Sequence, residues 1–181
     1  MDREKAIKAV EDFLSAIGAD LNEEGLKETP RRVADAFAEF ISGESADVKE
    51  ILSKTFTCAG GEMVLEKDIA FSSTCEHHLM PFFGKIAIAY IPDGKVVGLS
   101  KLARVAEVYS KRLQLQERLT AQIAEAVYKY LSPKGVIVVC EAEHTCMTVR
   151  GIKKAGSKTL SYSVAGNFPE DKKREVFALL K

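Results

Sequence analysis

Between Glu62 and Gly166 the residue pattern passes from strand-like to helical and back, and that order limits the fold more than any single motif. The runs Glu62 to Phe71 and Phe83 to Ile91 are short, β-branched and bounded by turn residues, with Pro92-Asp93-Gly94 closing the second, so both read as strands. Leu102, Val105, Ala106, Tyr109 and Leu113 then share one helical face. Leu119, Ile123, Ala126, Val127, Tyr130 and Leu131 share another, and the two helices part near Gln114 to Gln116. Ser132-Pro133-Lys134-Gly135 ends the second helix, Val136 to Cys140 is rich in β-formers, and Thr159 to Gly166 makes a further strand. The order ββααββ predicts an α+β architecture, a four-stranded antiparallel sheet with its helices on one face, whose bare edges invite neighbouring subunits.

An all-helical segment precedes this core. Ala6, Ile7, Val10, Phe13, Leu14 and Ile17 recur at helical spacing and Gly18 follows in a C-cap place, which predicts a helix over 2–17. Thr29 and Pro30 fit N-cap and first-turn positions of a second helix, Val33, Phe37, Phe40 and Ile41 share its face, and Ser42-Gly43 ends it. The two form an expected helical hairpin. Residues 43–61 lack sustained periodicity and read as a connector with at most a short helix, while Pro169 to Lys181 reads as a charged C-terminal helix. The expected division is therefore 1–60, N-terminal helices and connector, and 61–181, the ββααββ domain with its C-terminal helix.

With 181 residues, 46% of them hydrophobic and 29% charged, the chain has the means to bury one real core. Lys plus Arg number 26 and Asp plus Glu also 26, so no bulk positive field speaks for a nucleic-acid or anionic-membrane partner. No apolar run approaches the roughly 18 residues of a membrane span, and the N-terminus alternates charged and apolar residues, unlike a signal peptide. A cytoplasmic protein is expected. Cys58, Cys75, Cys140 and Cys146 are too few and scattered for a disulfide scaffold, which leaves core thiols, nucleophiles or metal ligands.

All three histidines stand beside cysteines, in Cys75-Glu76-His77-His78 and in His144-Thr145-Cys146. Cysteine and histidine are the preferred zinc ligands, and Cys75-x-x-His78 can chelate from a strand end while Cys146 closes the site from a distant segment. Five donors overfill a four-coordinate site. Three ligands and a water make a catalytic arrangement with imidazoles to spare for proton transfer; a closed four-ligand structural site is the alternative. Buried core thiols with satisfied histidines form the blander reading, which suits Cys58 and Cys140 best.

Positive charge gathers where a helix alone disfavours it. Ser100, Lys101 and Arg104 open the helix after Gly98, a place that suits phosphate, and Arg150 could join from the metal side; a solvated charged face is the alternative. In Gln114 to Thr120, Glu117 can accept two N–H bonds from a guanine-like edge with Gln116 beside it, although glutamate in a first helical turn is common for dipole reasons.

Taken in order, Glu28-Thr29-Pro30-Arg31-Arg32, Ser73-Thr74-Cys75-Glu76-His77-His78, Gly98-Leu99-Ser100-Lys101, Gln116-Glu117-Arg118-Leu119-Thr120, His144-x-Cys146 and Arg150-Gly151 resemble GTP cyclohydrolase I of the zinc-dependent type. The resemblance implies the tunnelling fold, whose subunit is a ββααββ unit assembled from five copies into a barrel and stacked into a homodecamer with active sites between subunits. It implies Zn2+ on Cys75, His78 and Cys146, and action on the substrate by His77 and His144. Glu117 and Gln116 would meet the guanine edge, Glu76 would lie close to the base, and Ser100, Lys101, Arg104, Arg150 and Arg32 would line the triphosphate and ribose side. The implied reaction is hydrolysis of the GTP imidazole ring at C8, formate release, ribose rearrangement and closure to 7,8-dihydroneopterin triphosphate, the first step of tetrahydrofolate or pterin biosynthesis. Its rivals are a GTP-ring hydrolase that stops before rearrangement and a zinc-stapled nucleotide sensor without turnover.

Overall fold

Asp2 opens the first helix: its carboxylate accepts from the Lys5 amide at 3.1 Å, and α1 runs Arg3–Ala16. The computed structural model describes residues 1–181 and forms two compact units, Met1–Ser42 and Gly43–Lys181. Gly18, at φ 81, adopts the left-handed conformation that turns the chain out of α1. The second helix, α2, spans Thr29–Phe40 with Pro30 in its first turn. Thr29 is not its cap, because residues 23–28 already wind in turns and Glu28 stands in helical conformation at φ -97, ψ -3. The Thr29 hydroxyl instead donates back to the Gly25 carbonyl at 3.3 Å. Arg3 and Asp35, 2.5 Å apart, pair α1 with α2 as the expected hairpin.

The second unit holds more regular structure in its first stretch than periodicity predicts. Asp47 caps the short α3, Val48–Leu52, by accepting from the Lys49 and Glu50 amides at 2.9 and 3.2 Å, and Leu52 is fully buried. Next come β1, Thr55–Thr57; β2, Val64–Cys75; β3, Pro81–Ile91; and β4, Lys95–Val97. The helices α4, Leu99–Ser110, and α5, Gln116–Leu131, are separated by β5, Leu113–Gln114. Then follow β6, Gly135–His144; α6, Thr145–Thr148; β7, Lys158–Gly166; and α7, Glu170–Leu179. The long strands pair antiparallel in the order β2-β3-β6-β7, the ββααββ unit of the sequence. Gln114 and Leu113 add a fifth, parallel strand at the end of β2, and β1 pairs with β4 in a separate ribbon.

Both faces of the central strands are covered, which explains why Ile86 to Ile91 and Val136 to Cys140 are continuously apolar. Ile86, Ile88, Tyr90, Val136, Val138 and Cys140 pack with Leu102, Val105, Leu119, Ile123 and Val127 of α4 and α5. Ala87, Ala89, Ile91, Ile137 and Val139 pack with Phe168 and with Val176 of α7 on the opposite side. One-sided helix coverage thus holds for the two central helices, while the C-terminal helix takes the other face.

A β-bulge gives the two halves of β2 opposite alternation. Glu66 stands opposite Ile88, but Ile69 stands opposite Ile86, so β2 carries one extra residue, with Asp68 at φ 60 and ion-paired to Lys85 at 2.8 Å. Before the bulge Val64 faces the α4/α5 side; after it Ile69, Phe71 and Cys75 do. The same side of β6 carries Cys140 and Ala142, and alternation brings His144 next. Gly84 lies opposite Ala142, where an added Cβ would stand 2.0 Å from the Glu141 carbonyl oxygen, so only glycine lets β3 and β6 close beneath this end.

Candidate metal centre and active site

Cys75 is the last residue of β2, and the chain turns sharply after it. Leu79, at φ 54, donates its amide to the Cys75 carbonyl at 2.9 Å, and Cys75 donates to Met80 O at 2.9 Å. This tight return lifts His77 and His78 out into solvent while Cys75 stays buried. Cys146 arrives from the far end of β6, whose ladder to β3 places His144 opposite Phe82. The chain does not stay extended past His144: α6 begins at Thr145, whose hydroxyl donates to Pro81 O at 2.6 Å and pins the turn that carries Cys146.

Cys75, His78 and Cys146 each offer one donor atom, all within 4.8 Å of one another, and Cys75 Sγ lies 3.9 Å from His78 Nδ1. A tetrahedral zinc with bonds of about 2.0–2.3 Å needs donors roughly 3.3–3.8 Å apart, so small side-chain adjustments close this set around an ion. The chemistry of the donors fits as well. Burial pushes the Cys146 thiol up, the neighbouring Cys75 thiol pushes it further, and a dication relieves both effects by taking two thiolates. His77 and His144 do not belong to this group, so the five donors of the sequence resolve into three.

His144 is held beside the cluster by its own contacts. Its ring stacks on buried Phe82, centroids 4.7 Å apart and planes 2° from parallel, and Nε2 lies 2.7 Å from Gln116 Oε1. Burial lowers its pKa and the Glu117 carboxylate works against that shift, which places Glu117 in its electrostatic reach. Glu117 itself is exposed in the first turn of α5. Gln116, by contrast, is 2% exposed. Glu76 is paired with Arg118 at 2.5 Å, and Arg118 also donates to Leu113 O and to Gln114 Oε1, so the Cys75–His78 turn is tied to the start of α5.

The structure does not bring every expected residue to this place. Ser100, Lys101 and Arg104 stand at the start of α4 behind Gly98, as predicted. Arg104 lines a groove of about 310 Å³ with Ile69, Phe71, Glu107 and Lys111, a groove that holds none of the three metal donors. Arg150 lies exposed just past α6 yet within electrostatic reach of the Cys146 thiol, whose pKa it works to lower against burial, so it does join the metal side. Arg32 belongs to the first unit, on α2. Sequence reasoning missed Phe82 and gave Arg118 no role; only the strand register, opposite His144, marks Phe82.

Fold and site together define a class, an α+β protein with three Cys–His–Cys side chains able to hold a metal ion at one end of a helix-backed sheet. The model of the GTP cyclohydrolase I family matches residues 6–181. The chain belongs to the GTP cyclohydrolase I family. It is 54% identical over 182 residues to GTP cyclohydrolase 1 of Clostridium perfringens (strain 13 / Type A), covering 99% of this chain and 98% of that one. It is 57% identical over 169 residues to GTP cyclohydrolase 1 of Carboxydothermus hydrogenoformans, covering 93% and 88% respectively. The crystal structure of the archaeosine synthase QueF-Like in the apo form aligns with 62% of this chain and 100% of that one, at 20% identity and a TM-score of 0.49.

Proposed function

We propose that this chain performs its family's reaction, the conversion of GTP to dihydroneopterin triphosphate, with Cys75, His78 and Cys146 as zinc ligands. The observation that carries the assignment is the convergence of those three donors beside an imidazole, His144, that is braced on two sides. Zinc, when bound, supplies Lewis acidity and a more acidic water at the reacting carbon. The protein's own groups do the rest. Glu117 accepts the N–H donors of the guanine edge, which fixes the base and turns C8 toward the metal end; Glu76, held by Arg118, shapes the side of the base pocket. His144 gives a proton to N7 as water adds to C8, and His77, exposed on the Cys75–His78 turn, serves the later proton transfers of ring opening and formate loss.

The free N–H groups at the start of α4, with Ser100, Lys101 and Arg104, take the triphosphate, joined by Arg150 and Arg32. Arg104 faces a different groove from the metal donors. That separation supports pockets shared between copies of the chain, in a homo-oligomer that we place at a decamer. The catalytic machinery, Arg32 apart, falls within 61–181. No helix is long and apolar enough to cross a membrane, and we assign the enzyme to the cytoplasm, with GTP and not a nucleic acid or membrane as its partner.

Formate release from GTP, zinc content and the mass of the pterin product test this reading on one preparation. Cys146→Ser should lose zinc and activity together. His144→Asn should keep zinc and GTP binding yet lose about 10²–10⁴-fold in formate release, the usual worth of general acid catalysis. Full zinc occupancy in the serine variant rejects the ligand set, and undiminished formate release in the asparagine variant removes His144 from the chemistry.

A further inference from the structure

Gln116 spends its amide inside the chain. The side-chain nitrogen lies 3.0 Å from Cys140 O, 3.0 Å from Thr159 O and 3.1 Å from Ser161 Oγ, and the oxygen lies 2.7 Å from His144 Nε2. Backbone carbonyls only accept, so the nitrogen must sit on their side; a flipped amide would press its oxygen against two carbonyl oxygens. The oxygen therefore faces His144. An amide oxygen also only accepts, so Nε2 must carry a hydrogen, and the neutral ring is left with a bare Nδ1. The ring's hydrogen bond to Gln116 is made at Nε2. The parallel stack on Phe82, itself anchored edge-on by Phe71 at 5.9 Å, holds the plane of the ring.

We propose that Gln116 is a positioning residue that locks His144 in the Nε2–H form, so that the proton passed to the guanine ring leaves from Nδ1 and the imidazole it leaves behind needs no rearrangement. The inference rests on the reading of His144 as the proton donor given above. It also separates Gln116 from the base. Both amide hydrogens are directed at acceptors of β6 and β7, and the side chain is 2% exposed, so neither hydrogen is left for a guanine carbonyl. Recognition of the base edge then falls to exposed Glu117 alone among the two.

The chain has three histidines, which makes the imidazoles separable. Selective 15N-histidine labelling of the zinc-loaded enzyme, with His144→Asn to assign the His144 signals, reads which ring nitrogen carries hydrogen in the neutral form. Nε2–H is expected; a bare Nε2 with hydrogen on Nδ1 in the unmutated enzyme overturns the proposal, whatever any variant does. In Gln116→Leu, His144 should show both tautomers, and kcat for formate release should fall about 10²-fold, with KM for GTP within about threefold and zinc content unchanged. A KM raised about tenfold with kcat preserved puts Gln116 on the base and overturns the proposal, as does unchanged kcat. The two readings fail separately: if His144→Asn still releases formate at the full rate, the donor assignment falls, whereas an inactive His144→Asn beside a fully active Gln116→Leu removes only the role of Gln116.

Discussion

Phe82 is fully buried and carries no chemistry of its own, yet it is the platform on which His144 lies, so replacing it tests whether the site is held by packing. Phe82→Ala would remove the whole ring and cost about 3–5 kcal/mol, mixing loss of fold with loss of site. Phe82→Leu keeps most of the volume. What it removes is the edge contact to Phe71 at 5.9 Å and the parallel stack on His144 at 4.7 Å. Each such aromatic pair is worth about 0.5–1.5 kcal/mol beyond area, so the leucine variant should lose about 1–3 kcal/mol. Urea unfolding at one fixed protein concentration measures this, because a self-associating protein changes apparent stability with concentration. Formate release on the same preparation should fall about tenfold, since His144 then keeps only its bond to Gln116. A leucine variant within about 0.5 kcal/mol of the original chain and with the same turnover would refute the idea that this stack orients the imidazole.

Glu117→Gln should weaken GTP binding by about 1.5–3 kcal/mol, the worth of a charged hydrogen bond, while leaving the unfolding midpoint in place; equal affinities by calorimetry would reject the anchor. Cys140 is fully buried and its thiol is pushed up to about 12, by burial first and then by Glu117 and Glu141, so alkylation near pH 8 should spare it in the native protein and reach it only on unfolding, as peptide mass mapping would report. Glu66 has an unpartnered buried Oε2, and burial raises its pKa. The unfolded chain then releases this proton at lower pH than the folded one, so stability should fall as pH rises from the ordinary glutamate range to the raised value. Glu66→Gln should erase that slope, and superimposable pH–stability curves for the two proteins would contradict it.

The parts of the fold that could be read from sequence are those decided by near neighbours. Asp2 and Gly18 bracket α1 within the helix itself, and Cys75-x-x-His78 lies within one turn. The strand ends were harder. Ser72, Ser73 and Thr74 look like loop, yet Ser73 and Thr74 are buried because Phe82 and Pro81 pair with them and Leu113 flanks Thr74. Thr55 to Thr57 and Leu113-Gln114 become strands only because Val97 to Lys95 and the end of β2 lie beside them. The strand β6 ends at His144 and the chain turns at Thr145, whose partner, Pro81 O, is 64 residues away. Gln116 was legible as a residue of interest but not in its role, since its amide partners stand 24, 28, 43 and 45 residues along the chain.

The extra residue in β2 between Glu66 and Ile69 gives the strand a parity. Beyond it, the close return from Cys75 to Met80 and the pairing with β3 fix which way Cys75 faces. A chain with one residue fewer at the bulge would keep Cys75 beside Cys146, and the reversal would fall on the start of the strand, where Val64 would turn toward the layer of Ile137, Val139 and α7 and Leu65 toward α4 and α5. One further residue would do the same. Two residues gained or lost there would leave both faces as they are. Length changes in this segment are thus absorbed by the core only in even steps, while the metal donor keeps its place.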